Sequence, residues 1–301
     1  MLTVSGETHV QAAALSLPQG PAAGGGSPPV DVSDWPTRTA DTPLARTKAP
    51  AQSPARTGES APDVRTHALL AQDVYNDTAS PPPGYRQAGS GDLAMLGLTP
   101  SKLENGEFRA RVYVTGTGED TRYVVAFRGT QSPEGWASNV HQGLGTGSAH
   151  YTDALRLGEQ IAASGLAGRV SFAGHSLGGG LAATASIATG APAHTFNAAG
   201  LHDNTIGAAN AIRAAYGIEA SGNVQAWHVR GEVLSSFQDG GDRAAGWAIG
   251  GFIGAWLADA PEAYGERHAL DPVAPEGKGF FDRIDPVDRH GMDWVINSLP
   301  R

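Results

Sequence analysis

The spacing of apolar residues changes period several times along this chain of 301 residues, and each change marks an element. "THALLAQDVYND", from Thr66, has its apolar positions on one face of a helix, and "SPPPG" then breaks it. "FRARVYV", 108 to 114, alternates with period two, so Phe108, Ala110, Val112 and Val114 share one face of a half-buried strand. "YVVAF", 123 to 127, is apolar throughout and suits a strand buried on both faces. Thr152 to Ala163 returns to helical spacing through Leu155, Leu157 and Ile161. A strand "RVSFAG", a helix over 177–189, a strand "AHTFNA", a helical "IGAANAIRAAYG" and a strand "VQAWHV" follow in order. The alternation of strand and helix predicts an α/β fold with a mostly parallel, doubly wound sheet flanked by helices.

Ahead of this region the pattern disappears. Residues 1 to 64 hold nine of the twenty prolines, set among Ala, Gly, Ser and Thr. Such a stretch buries too little apolar surface to offset its ordering entropy. It is expected to be a disordered extension, with the folded domain over 65–301. There is no Lys or Arg before Arg38, and the early apolar run "AAALSL" is short, so no ordinary export signal is expected. The longest apolar stretch, Ala244 to Ala258, falls short of the roughly 20 residues of a spanning helix. It reads as a core helix or as an apolar surface helix.

Composition narrows the chemistry. A net charge of -9 and a pI of about 5.5 argue against nucleic-acid binding and against capture by anionic membranes through bulk charge. The absence of cysteine excludes disulfides, thiolate metal sites and cysteine nucleophiles. The sharpest local signal is "FAGHSLGGGLA", 172 to 182, where Gly174-His175-Ser176-Leu177-Gly178 joins a predicted strand to a predicted helix. A nucleophilic serine on such a turn needs glycines two residues to either side, because side chains there would collide. Gly179 and Gly180 would let the new helix lie close to its neighbours. The helix N-terminus also aims backbone N–H groups at charge developing near Ser176. A phosphate loop would need a Lys after the glycines, and none follows.

With "GHSLGGGLA" and "VVAFRGTQSPEGWASN", 124 to 139, the chain resembles the class 3 lipases of the α/β-hydrolase superfamily, over about residues 107 to 297. "FRGT", "QGLG", "GEVL" and "RHGMDWVI", in that order, are similar to bacterial phospholipase effectors. The resemblance implies an α/β-hydrolase fold that needs no cofactor or metal. It also implies an oxyanion hole built from Thr130 and the N–H of Leu177, and a lid after Thr130. Trp136 in that segment would face lipid or simply pack.

A serine hydroxyl needs a histidine base, and the histidine needs a carboxylate to orient it. In this superfamily the chain order is Ser, acid, His. His194, His202 and His228 come too early. His268 and His290 remain, and His290 is favoured because it opens an apolar-periodic segment with Met292, Val295, Ile296 and Leu299. Glu232, just past the strand "VQAWHV", is the favoured acid over Asp239 and Asp242. The matching segment of class 3 lipases usually carries Asp. The expectation is therefore a serine esterase with Ser176, Glu232 and His290 as catalytic residues.

The resemblance points further to lipid esters, most of all glycerophospholipids cleaved in the phospholipase A1 manner. Other hydrolase chemistries on the same scaffold, or an inert binding protein, are the alternatives. It also implies membrane contact, and secretion as an effector by a route independent of a signal peptide, or else a cytoplasmic protein. Toxicity to the producing cell would imply a cognate immunity protein.

Overall fold

The computed structural model describes residues 61–129, 149–232, 262–279 and 285–300. Its elements, in chain order, begin with α1 (Ala61–Asp73), β1 (Arg86–Gln87), α2 (Ser90–Met95), α3 (Pro100–Leu103) and β2 (Glu104–Asn105). Next come β3 (Phe108–Thr115), β4 (Arg122–Phe127), α4 (Ala149–Ala163), β5 (Val170–His175) and α5 (Leu177–Thr189). The chain continues through β6 (Ala193–Phe196), α6 (Asp203–Ala215), β7 (Val224–Val229), β8 (Glu266–Leu270) and α7 (Met292–Ser298).

The strands form one mixed sheet of order β1-β3-β4-β5-β6-β7-β8, with β2 paired to β3. β3 runs antiparallel to β4, and β4 through β8 are parallel. This is the predicted α/β architecture. Because β4 to β8 succeed one another in space as in sequence, right-handed crossovers put α4, α5 and α6 on one face. The other face is covered by the two outlying helices, α1 and α7. Strand alternation sorts the core accordingly. Phe108, Ala110, Val112, Val114, Val125, Phe127 and Phe172 meet the crossover helices. Tyr113, Val124, Ala126, Ala173 and Phe196 meet α1 and α7. Each such large apolar side chain fully removed from water contributes about 1.5–3 kcal/mol.

Three features depart from the periodicity. α1 begins at Ala61 rather than Thr66, within the stretch assigned to the extension, and Val64 is core. The rest of that expected extension, 1–60, lies outside the described residues. β3 is buried on both faces, because its second face turns Arg111 and Tyr113 inward. The Tyr113 hydroxyl donates to Asp73 Oδ2 at 2.7 Å, and Arg111 donates to the Asp73 and Asn76 carbonyls at 2.8 and 2.7 Å. These bonds pin the chain turn that ends α1. Finally, "ERHAL" is a strand, β8, although its polar residues hide it from a hydrophobic pattern.

Candidate active site

Ser176 stands alone between β5 and α5, with φ 58° and ψ -127°. Few side-chain-bearing residues accept a positive φ, at a cost of about 1–3 kcal/mol. The neighbourhood enforces it. The Ser176 N–H donates to the Phe196 carbonyl at 3.0 Å, and the Ser176 carbonyl accepts from the Gly179 and Ala199 N–H groups at 3.0 Å each. The glycines do what the sequence required of them. A Cβ on Gly174 would run into the Gly178 carbonyl, and one on Gly178 into the Phe127 carbonyl. A Cβ on Gly179 would strike Ala198, and one on Gly180 the Tyr151 hydroxyl. The Leu177 N–H is in the first turn of α5, where backbone donors have no intrahelical acceptor.

Glu232 follows the carboxyl end of β7, where Gly231 turns the chain at φ 75°. Its side chain is fully buried, and Oε2 lies 2.7 Å from Nδ1 of the buried His290. A carboxylate only accepts, so this contact puts the imidazole proton on Nδ1 and leaves a lone pair on Nε2. His290 ends a short 3-10 turn immediately before α7, whose Met292, Trp294 and Val295 are sunk in the core. Its ring lies 4.7 Å, centroid to centroid, from that of His175, the residue before Ser176. Two of the three predicted catalytic side chains thus meet directly, and the third sits beside the neighbour that packs on them.

Residues 66–276 match the model of the Tle-like phospholipase domain family. The chain belongs to this family. It is also 35% identical over 235 residues to the extracellular phospholipase A1 of Serratia liquefaciens, covering 77% of this chain and 69% of that protein.

Two residues of this Tle-like phospholipase that pattern reasoning did not select hold His290 by its main chain. The His290 carbonyl accepts from His175 Nε2 at 2.7 Å and from Asn197 Nδ2 at 2.9 Å. Asn197 in turn accepts the Val229 N–H at 2.9 Å, at a φ of 43° that Asn tolerates better than most. The only trace in the sequence was an Asn at a strand exit, and the variable position of G-x-S-x-G. Burial pushes the His175 imidazole down to about 3, with the nearby His290 ring adding to the effect, so His175 stays neutral.

The rival base, His268, is committed elsewhere. It lies in β8, stacked on Trp227 at 4.3 Å, with Nε2 2.5 Å from Gln225 Oε1. Thr130, Trp136, Asp239, Asp242 and the stretch Ala244 to Ala258 lie outside the described residues.

Among the described residues one group has metal-ligand composition: Asp63, His67 and His194, their ligating atoms within 4.8 Å of one another. Hydrogen bonds engage three of its four ring nitrogens. Trp227 Nε1–H donates to His194 Nδ1 at 3.3 Å, so the proton of His194 is on Nε2, which faces Asp63 Oδ2 at 3.8 Å. His67 Nδ1 donates to the Asp63 carbonyl at 2.9 Å, and its Nε2 is hydrogen-bonded with Ser171 Oγ at 2.8 Å. With its ring N–H turned toward the carboxylate, His194 offers a cation no lone pair there. The polar contacts of the His194 and His67 rings hold the Asp63 carboxyl well below the usual range. The group fastens α1 to β5 and β6 near their amino ends.

Proposed function

We propose that this protein hydrolyses a carboxylic ester of glycerophospholipids, in the phospholipase A1 manner, with Ser176, His290 and Glu232 as its triad. The observation that carries the reading is the buried 2.7 Å Glu232–His290 pair at the carboxyl ends of the parallel strands, packed against His175, the chain neighbour of the positive-φ Ser176. Family membership and the Serratia relative support the lipid substrate.

Ser176 Oγ attacks the ester carbonyl carbon while His290 Nε2 takes its proton. Glu232 keeps the imidazolium oriented and balances its charge. The tetrahedral oxyanion is held by the N–H of Leu177 and by Thr130, each such donor lowering the barrier by about 2.7–4 kcal/mol. The carbon–oxygen bond to the glycerol backbone breaks, and His290 returns its proton to the leaving lysophospholipid alcohol. Water, deprotonated by His290, then attacks the acyl-enzyme and releases the fatty acid and Ser176. Contact with a lipid surface follows from such a substrate. The extracellular relative supports secretion, for which we favour a route independent of a signal peptide, as for an effector. Activity against the producer's own lipids would call for a cognate immunity protein.

The test compares the protein with its Ser176→Ala and His290→Ala variants on phosphatidyl lipids and on triacylglycerol. Release of fatty acid from phosphatidyl lipids, lost in both variants, is the expected result. Full activity in either variant refutes the triad, and exclusive turnover of triacylglycerol refutes the substrate class.

A further inference from the structure

Behind the catalytic pair runs a line of hydrogen bonds that the ester chemistry does not itself use. It begins at Gly129, the residue before Thr130. The Gly129 N–H donates to the Tyr75 hydroxyl at 2.9 Å. The Tyr75 hydroxyl is 3.2 Å from His175 Nδ1, and His175 Nε2 is 2.7 Å from the His290 carbonyl. The chemistry of the end groups, with the buried His175 neutral, dictates the direction of every bond. A peptide N–H can only donate and a carbonyl can only accept. His175 must therefore carry its proton on Nε2, which leaves Nδ1 to accept from the Tyr75 O–H. The line reads Gly129 N–H to Tyr75 O–H to His175 to the His290 carbonyl, each group a donor to the next.

Nothing along this line has room to slip. A Cβ on Gly129 would come within 2.6 Å of the Tyr75 hydroxyl and 2.7 Å of the His175 carbonyl. Tyr75 sits in the turn after α1 that Arg111 clamps through the Asp73 and Asn76 carbonyls. His175 is fixed in β5, whose last residues pair with Phe196 and Phe127 through the ladder. His290 reaches the line from the far end of the chain, 115 positions from His175.

We infer that Tyr75 and a neutral His175 are positioning residues that tie the main chain entering the oxyanion hole to the main chain of the catalytic histidine. This rests on the triad and on the role of Thr130 given above, and it assigns the two residues no contact with substrate. The donor peptide follows β4 and the base precedes α7, so the two lie far apart along the chain. A transition state that needs both must have them held at one spacing, and errors well under an ångström are costly there. A protonated His175 would break the line at Tyr75 and place a second cation against His290 as that ring takes up its proton.

Tyr75→Phe in the full-length protein is the direct test, because it keeps the ring and removes the hydroxyl that serves both neighbours. Expected are a fall in kcat of about 10- to 100-fold, a KM within about twofold, and an affinity for a trifluoromethyl ketone transition-state mimic that falls by the same factor as kcat/KM. A second pair keeps the inference testable should Tyr75→Phe not fold. His175→Gln retains an N–H for the His290 carbonyl and His175→Leu does not, so Gln is expected to keep at least about tenfold more activity than Leu. Packing alone would lower Tm and leave kcat per folded molecule unchanged. Wild-type kcat in Tyr75→Phe, or equal activity in the two His175 variants, overturns the inference. If Ser176→Ala is inactive in the same assay, such a result removes only the positioning roles; if Ser176→Ala is active, the triad itself falls.

Discussion

Among the described residues lie two clusters of nearly the same composition, one at each end of the parallel strands. Near the amino ends, His67 and His194 lie 4.6 Å apart at an interplanar angle of 48°, with Asp63 between them. At the carboxyl ends, His175 and His290 lie 4.7 Å apart at 44°, with Glu232 against His290. Two rings and a carboxylate at matching spacing thus occur twice among the described residues, and one set adjoins Ser176. The difference is in the nitrogens and the acids. In the Asp63 cluster, fixed donors and acceptors engage both rings, and the carboxylate side chain is 41% exposed. In the Glu232 cluster the carboxylate is 1% exposed and accepts from His290 Nδ1 at 2.7 Å. The second histidine serves the main chain of the first. Composition and distance alone do not tell the two clusters apart; the direction of each hydrogen bond and the burial of the acid do.

That contrast can be broken most severely by removing one histidine from each cluster. His290→Ala is expected to lower kcat by about a millionfold, as loss of a triad base does, whereas His67→Ala leaves kcat of the folded protein within about threefold and lowers Tm. Ester hydrolysis beside thermal unfolding reads both, and comparable losses of kcat would erase the distinction. The acids come next. Glu232→Gln should cost about ten-thousandfold in kcat, the scale of losing the orienting carboxylate. Asp63→Asn should cost only about 1 kcal/mol of stability, small because that carboxylate is partly in water, with no change in kcat. Chemical denaturation of both variants decides it.

The gentlest test is pH. His175 is neutral in the folded protein down to about 3, but takes up a proton near 6.5 when unfolded. Between those values the unfolded chain binds the extra proton, so stability is full above 6.5 and falls as pH drops toward 3. The groups facing His175 are Tyr75, His290 and Glu232. Asp63 acts in the other window: with its folded pKa depressed below 3.8, its contribution is present above that value and lost only below it. Denaturation midpoints from pH 7 to 4.5 should therefore decline, and decline less steeply in His175→Gln than in the parent. Parallel slopes would show that His175 does not carry the effect.

Much of this was legible before any coordinates. α5 and β7 fall on 177–189 and 224–229 as their patterns required, and the face of β3 named from alternation is the face that meets the crossover helices. Glu232 and His290, chosen from chain order and strand ends, lie in hydrogen-bond contact. Tyr75, His175 and Asn197 were not legible as partners of the site. They act through main-chain groups 54 to 115 positions away, and a main-chain carbonyl leaves no mark in the sequence. Arg111 and Tyr113 misled for a related reason, since their polar ends are satisfied by the α1 turn rather than by water.

By itself the sequence determined what is local: which stretches bury one face or two, where a turn tolerates no side chain, and which residue types can exchange a proton. Those follow from steric limits and from periods of 2 and 3.6 residues that a string of letters retains. Only the folded chain decided how two similar histidine clusters engage their nitrogens, because that depends on which donor or acceptor faces which nitrogen across the sheet, a choice made by packing among groups far apart in the polymer.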